Sequence, residues 1–233
     1  MIDSPVYPDE LEALPAVLEQ AGFPITGLLA THADWDHLLG RLAFPTASLG
    51  CSESSSRRLL EETGAAARKL RSFDEEHYVQ RPRPLTLGAA QALPVPGHLS
   101  LGTDTELELH PADGHTADGM AIWIPGAAVL VCGDYLSPVE IPMISEGGSL
   151  AAYAATLERL RPLVERAETV VPGHGSPLER DEALGILGED ADYLAALGAE
   201  GIGARLPASR RSALQRGIHA ENAALSGATP PRR

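Results

Sequence analysis

Residues 31–37 read Thr31-His32-Ala33-Asp34-Trp35-Asp36-His37, so four of seven positions are histidine or aspartate, directly after an apolar run. That run, Ile25 to Thr31, is rich in leucine and β-branched residues and is expected to form a short buried strand. It empties into the polar cluster, and a helix is expected beyond. Alternation projects His32, Asp34 and Asp36 to one side, after which the chain turns to present His37. A strand end holds side chains rigidly while the next loop turns others toward the same point, so histidine and carboxylate clusters there suggest a metal. Taken alone, a capped or solvated turn explains the cluster as well.

Three more clusters follow: Asp113-Gly114-His115-Thr116, Cys132-Gly133-Asp134-Tyr135 and Pro172-Gly173-His174-Gly175. Each adjoins an expected strand and carries a glycine that lets backbone crowd close to an ion. Each by itself reads as a turn. Their number and order argue for shared chemistry.

In that order the clusters resemble the metallo-β-lactamase fold superfamily, whose pattern is His-x-His-x-Asp-His, then a Gly-His-Thr histidine, then Gly-Asp, then a late Gly-His. The resemblance spans Ile2 to about Gly175. It implies an α/β fold, a four-layer αββα sandwich with helices on both outer faces and a two-metal site at one edge. Carried over by position, His32, Asp34 and His115 would serve the first metal, Asp36, His37 and His174 the second, and Asp134 would bridge them. Asp34 departs from the pattern, since most members carry histidine there. Three carboxylates instead of two would then face the ions, leaving the site less positive and more tolerant of oxygen-preferring metals. Zinc is the first expectation, with manganese and iron open. Asp34 also resembles the di-iron flavoprotein branch, but the chain has no room for a flavin domain. A second departure lies before the acidic turn Ile2-Asp3-Ser4-Pro5, where members contribute further strands. Either the natural start lies upstream, or the first sheet is reduced and its unpaired edge invites pairing with another chain, for example as a homodimer.

The 233 residues are 44% hydrophobic, enough for one globular domain, expected over 1–226 with a flexible tail at 227–233. Eighteen basic against 32 acidic residues leave a net charge of −14, which disfavours nucleic acid and anionic membranes as partners. With no apolar run long enough to span a bilayer and no basic-then-apolar start, the expectation is a cytoplasmic protein. Cys51 and Cys132 are too few for a disulfide framework and read as buried thiols.

A helix is expected from Pro8 to Ala21, kinked or split at Pro15 and ended by Gly22. A short strand is expected from Ala47 to Gly50, then a helix capped by Ser52, and an exposed excursion from Asp74 to Pro84. Strands are expected at Val95 to Leu101, Glu106 to Leu109, Met120 to Ile124 and Ala127 to Cys132, the last two joined as a hairpin at Pro125-Gly126. Helices follow at Leu150 to Leu160, interrupted by Pro162, then Glu179 to Leu197 and Ser209 to Leu225, with a strand at Thr169 to Val171.

No serine triad in a nucleophile elbow and no phosphate-binding glycine loop with a lysine occurs. The expected chemistry is that of a dinuclear metal hydrolase attacking a small acyl ester or thioester with metal-bound hydroxide, with Asp36 and Asp134 handling protons. The compact length resembles the glyoxalase II-like branch. The alternatives are a phosphodiesterase or phosphate ester hydrolase, a non-catalytic metal- or ligand-binding domain and, more remotely, an oxidative di-iron protein. Thr116 and Asp118 are candidate orienters of an imidazole. Arg57, Arg58, Arg68 and Arg71 read as a solvated helix face or an anion-recognising group, and His77, His98, His110 and His219 as surface or locally bonded residues.

Overall fold

A computed structural model describes residues 1–102 and 105–225. The fold class is α/β with two sheets, and the chain divides into compact units at Met1–Val95 and Pro96–Arg233.

The first unit builds a three-stranded parallel sheet of β1 (Gly27–Leu29), β2 (Ser48–Ser52) and β3 (Ala90–Leu93), in that order. Parallel neighbours require crossovers. These are supplied by the short α2 (Gly40–Ala43) between β1 and β2, and by α3 (Glu53–Glu61) and α4 (Ala65–Glu76) between β2 and β3. The Ser52 hydroxyl accepts from the Ser55 amide at 2.9 Å, the expected cap, typically worth about 1 kcal/mol. Leu28, Leu38, Leu39, Leu49, Cys51 and Leu70 lie at the unit's core.

This sheet is reduced, as expected, but the β1 edge is covered by the chain's own start. Ile2 bridges Leu29 in parallel, Leu29 N–H donates to the Met1 carbonyl and Asp3 N–H to the Leu29 carbonyl, each at 2.8 Å. An open β1 edge offered to another chain is therefore not what forms. The helix α1 (Pro8–Gln20) runs unbroken through Pro15. The excursion expected from Asp74 to Pro84 is largely exposed, and it is anchored at one point, where Arg81 Nε reaches both Asp74 carboxylate oxygens and its Nη1 donates to the Val6 carbonyl.

The second unit builds a six-stranded sheet in sequential order: β4 (Gly97–Leu101), β5 (Thr105–Pro111), β6 (Met120–Ile124), β7 (Val129–Val131), β8 (Thr169–Val171) and β9 (Leu178–Glu179). The expected hairpin joins β6 and β7 through a 3-10 turn at Pro125–Ala127. The crossover between parallel β7 and β8 carries α5 (Leu150–Val164), which continues through Pro162 because the carbonyl freed there belongs to exposed Glu158. The helices α6 (Arg180–Glu200) and α7 (Ala213–Leu225) follow, and the tail expected at 227–233 lies outside the described residues. Trp123, Leu130, Tyr153, Leu157, Leu160, Leu187 and Leu194 fill this core. Among the described residues no helix is long and apolar enough to cross a membrane.

Candidate metal centre

In the second unit, strand direction places three clusters at one end of the sheet. β5 and β7 are each antiparallel to β6, and β8 is parallel to β7, so β5, β7 and β8 run the same way. The loops leaving them carry His115, Asp134 and His174. Asp134 uses both oxygens, Oδ2 lying 3.1 Å from His115 Nε2 and Oδ1 3.4 Å from His174 Nε2. The His115 ring is set by its other nitrogen, which donates to the Met143 carbonyl at 2.8 Å. Because a carbonyl only accepts, that bond puts a proton on Nδ1. Nε2 is thereby aimed at the Asp134 carboxylate, where the two groups share either a proton or a cation.

In the first unit the expected alternation gives way to a 3-10 turn at Trp35–Leu38, entered from extended Asp34. Asp36 and His37 thereby sit side by side, Asp36 Oδ2 being 3.5 Å from His37 Nε2, while the His32 and His37 rings meet at a 44° tilt with centroids 4.0 Å apart. His37 Nδ1 lies 2.9 Å from Asp3 Oδ2, and the Thr31 hydroxyl donates to the same oxygen at 2.8 Å. His37 thus repeats the logic of His115, with Nδ1 engaged and Nε2 turned toward a carboxylate.

Two groups of side chains can hold a metal ion, His32 with His115 and Asp134, and Asp36 with His37 and His174, the ligand atoms of each lying within 4.8 Å of one another. Imidazole nitrogens mixed with carboxylates suit zinc, manganese or iron. The outer bonds from His115 and His37 are the type that orients metal-bound histidines.

Asp34, expected at the first metal, is in neither group. Its Oδ1 accepts from Arg58 Nη2 at 2.7 Å and its Oδ2 lies 3.7 Å from His32 Nε2. Arg58 therefore leaves the solvated helix face assigned to it. Met143, not Thr116, supplies the partner of the His115 Nδ1, and Thr116 Oγ1 is buried without a hydrogen-bond partner among the described residues. His77 bonds back to the Phe73 carbonyl, His98 pairs with Glu106, His110 with Glu108, and His219 lies against Tyr193.

Several supporting residues escaped the sequence reading. The acidic turn signalled Asp3 but not its role. The Tyr135 hydroxyl accepts the His115 amide, and the Tyr153 hydroxyl donates to the Asp134 carbonyl, each at 2.9 Å. These tyrosine rings meet at a 42° tilt with centroids 4.4 Å apart, and burial holds both phenols above their ordinary pKa range. Cys132 is buried and its thiol is pushed up by burial, then by Asp134, which makes it a packing residue.

Solved structures share this fold at low identity. A metallo-beta-lactamase from Pontibacter korlensis is 20% identical with a TM-score of 0.54, covering 80% of each chain. The DIM-1 metallo-beta-lactamase is 19% identical with a TM-score of 0.54, covering 80% of this chain and 78% of that one. The stereoselective inverting sec-alkylsulfatase Pisa1 from Pseudomonas sp. is 17% identical with a TM-score of 0.69, covering 95% of this chain and 44% of that one. The chain is α/β with one sheet in each unit, and two histidine–aspartate groups of this kind point to the active site of a metal-dependent hydrolase. The sequence profile described as the metallo-beta-lactamase superfamily matches residues 4–174, well over half of the chain and with every histidine and aspartate of the four clusters inside it, so the chain belongs to the metallo-β-lactamase superfamily.

Proposed function

We propose that the protein is a dinuclear metal hydrolase of small acyl esters or thioesters. His32 and His115 would hold one ion, Asp36, His37 and His174 the other, and Asp134 both. Asp34 would contribute to the first through Oδ2 alone, since Arg58 engages Oδ1. Zinc is the first choice, with manganese and iron favoured more than usual if Asp34 takes part. When bound, two such ions would supply a water of lowered pKa as nucleophile and would polarise the substrate oxygen.

The observation that carries this reading is the convergence of two imidazoles on one carboxylate, His115 Nε2 lying 3.1 Å from Asp134 Oδ2 and His174 Nε2 3.4 Å from Oδ1, with the His115 ring held by Met143. Asp3 and Met143 fix the imidazoles of His37 and His115 so that Nε2 is the ligating atom. Asp36 or Asp134 would hold the proton released by the attacking water and pass it to the leaving group. Acyl chemistry is favoured over nucleic acid processing by the net charge of −14.

The test is metal analysis of purified protein followed by turnover of a thioester, an aryl ester, bis(p-nitrophenyl) phosphate and a secondary alkyl sulfate on one preparation. The expected result is about two metals per chain and fastest turnover of the thioester or aryl ester. Absence of transition metal together with no turnover after reconstitution would end the proposal. Preferential phosphodiester or sulfate ester cleavage would keep the centre and replace the substrate.

A further inference from the structure

The matched profile ends at His174, so no residue of α6 or α7 falls within it. Yet α7 and the stretch just before it hold the segment that orients His115. After Asp134 the chain runs through Ser137 to Ile144 without regular structure, and its backbone bonds are taken by side chains from further along. Arg210 Nη1 donates to the Glu140 carbonyl at 2.8 Å and the Ser137 carbonyl at 3.2 Å, while Gln215 Oε1 accepts from the Ile141 amide at 2.8 Å. Asn222, fully buried, spans Met143: its Oδ1 accepts from the Ile144 amide at 2.8 Å and its Nδ2 donates to the Pro142 carbonyl at 2.6 Å. Between those two residues lies the Met143 carbonyl, the acceptor for His115 Nδ1 at 2.8 Å.

We infer that Asn222 is a positioning residue for the metal centre, acting through the Met143 carbonyl on the tautomer and ring orientation of His115. A carbonyl cannot be removed by substitution, so the chain must control its direction through the flanking peptide groups. A side-chain amide is suited to this, because it donates and accepts at once and clamps both neighbours. Asn222 Nδ2 is also 3.1 Å from the Tyr193 hydroxyl, which in turn lies 3.1 Å from His219 Nδ1, so the clamp is anchored in α6 as well as α7. The inference rests on His115 being a metal ligand.

The experiment is Zn2+ affinity, measured by competition with a chromophoric chelator, for wild type, Asn222→Ala and Asn222→Asp. Leu187→Ala serves as a control that loosens α6 at a buried site and removes no hydrogen bond to the segment. Outer-shell partners of metal-bound histidines are worth about 10–100-fold in affinity, and an indirect one should sit near tenfold. Asn222→Ala is therefore expected to lose about tenfold for one of two zinc ions. Asn222→Asp, which keeps the acceptor for Ile144 but turns a second acceptor toward the Pro142 carbonyl, should lose about as much, and Leu187→Ala should bind zinc as wild type does. If Asn222→Ala does not fold, the Asp variant decides by the same reading. Wild-type affinity in the Asn222 variants, or an equal loss in Leu187→Ala, overturns the inference and leaves the metal centre standing. Failure of wild type to bind zinc overturns both.

Discussion

Asp3 Oδ2 receives both the Thr31 hydroxyl, at 2.8 Å, and His37 Nδ1, at 2.9 Å, while Asp3 Oδ1 receives the Thr31 amide at 2.9 Å. One carboxylate near the start of the chain thus fixes the end of β1 and an imidazole six residues beyond Thr31. Asp3 itself takes a φ of +50°, held there by the Asp3 amide bond to Leu29. Replacing Asp3 with Ala should cost about 10–100-fold in Zn2+ affinity, as losses of outer-shell carboxylates do. Asn at this position keeps an acceptor for Nδ1 and should lose less. Unchanged affinity in both variants would remove Asp3 from the site.

Metal removal should register in stability as well as activity. A ligand at a hundred times its Kd stabilises by about 2.7 kcal/mol, which for a chain of this size corresponds to a shift on the order of 5–10 °C in Tm. Dialysis against a chelator should lower the melting temperature by that amount, and added Zn2+ should restore it. Identical melting curves before and after chelation would count against a bound ion.

The Asp34–Arg58 pair is largely sheltered, with side-chain exposures of 16% and 17%. Exposed pairs are worth about 0.2–1 kcal/mol, whereas taking one partner from a sheltered pair leaves the other charge poorly compensated. A double-mutant cycle of Asp34→Asn and Arg58→Ala by urea unfolding should give a coupling above about 1 kcal/mol. Arg58 retains Glu62 at 3.5 Å, so Arg58→Ala alone reads both contacts and the cycle is needed to separate them.

Gly114 permits no side chain. A Cβ there would lie 2.2 Å from the Tyr153 amide nitrogen, and the residue already takes a φ of +128°. Ser149, the cap of α5, donates its amide to the Gly114 carbonyl, so the start of that helix is seated on this residue. Gly114→Ala should cost more than about 4 kcal/mol, through steric overlap and a disfavoured backbone. Urea denaturation, or failure to recover folded protein, measures it, and a loss under 1 kcal/mol would show that α5 shifts easily.

Asp190 should leave a mark on the pH dependence of stability. Burial pushes its carboxyl from 3.8 up to about 7, against the pull of Arg210 2.6 Å away. A raised folded pKa favours the protonated form in the folded state. Its contribution is therefore complete below the unfolded value and is lost as pH rises through about 7. Between pH 5 and 8 wild type should lose more stability than Asp190→Asn, whose amide does not titrate. Parallel profiles would show that Arg210 keeps Asp190 ionised throughout.

The histidine and aspartate clusters were legible in the sequence because each follows a strand whose apolar run is local, and strand direction alone carries His115, Asp134 and His174 to one end of a sheet. The Ser52 cap and the β6–β7 hairpin were legible for the same reason. Pro15 and Pro162 misled, because a missing N–H is a local penalty and each helix absorbs it.

What the sequence determined by itself was the donor chemistry, namely which imidazoles and carboxylates stand at strand ends and in what order. The tertiary structure decided what each donor's other atoms do. Arg58 meets Asp34 from 24 residues away, Met143 meets His115 from 28 and Asp3 meets His37 from 34. These partners are set by packing rather than by spacing along the chain. A hydrogen bond at a ring's second nitrogen depends on where unrelated segments pass, and neither periodicity nor residue type encodes that.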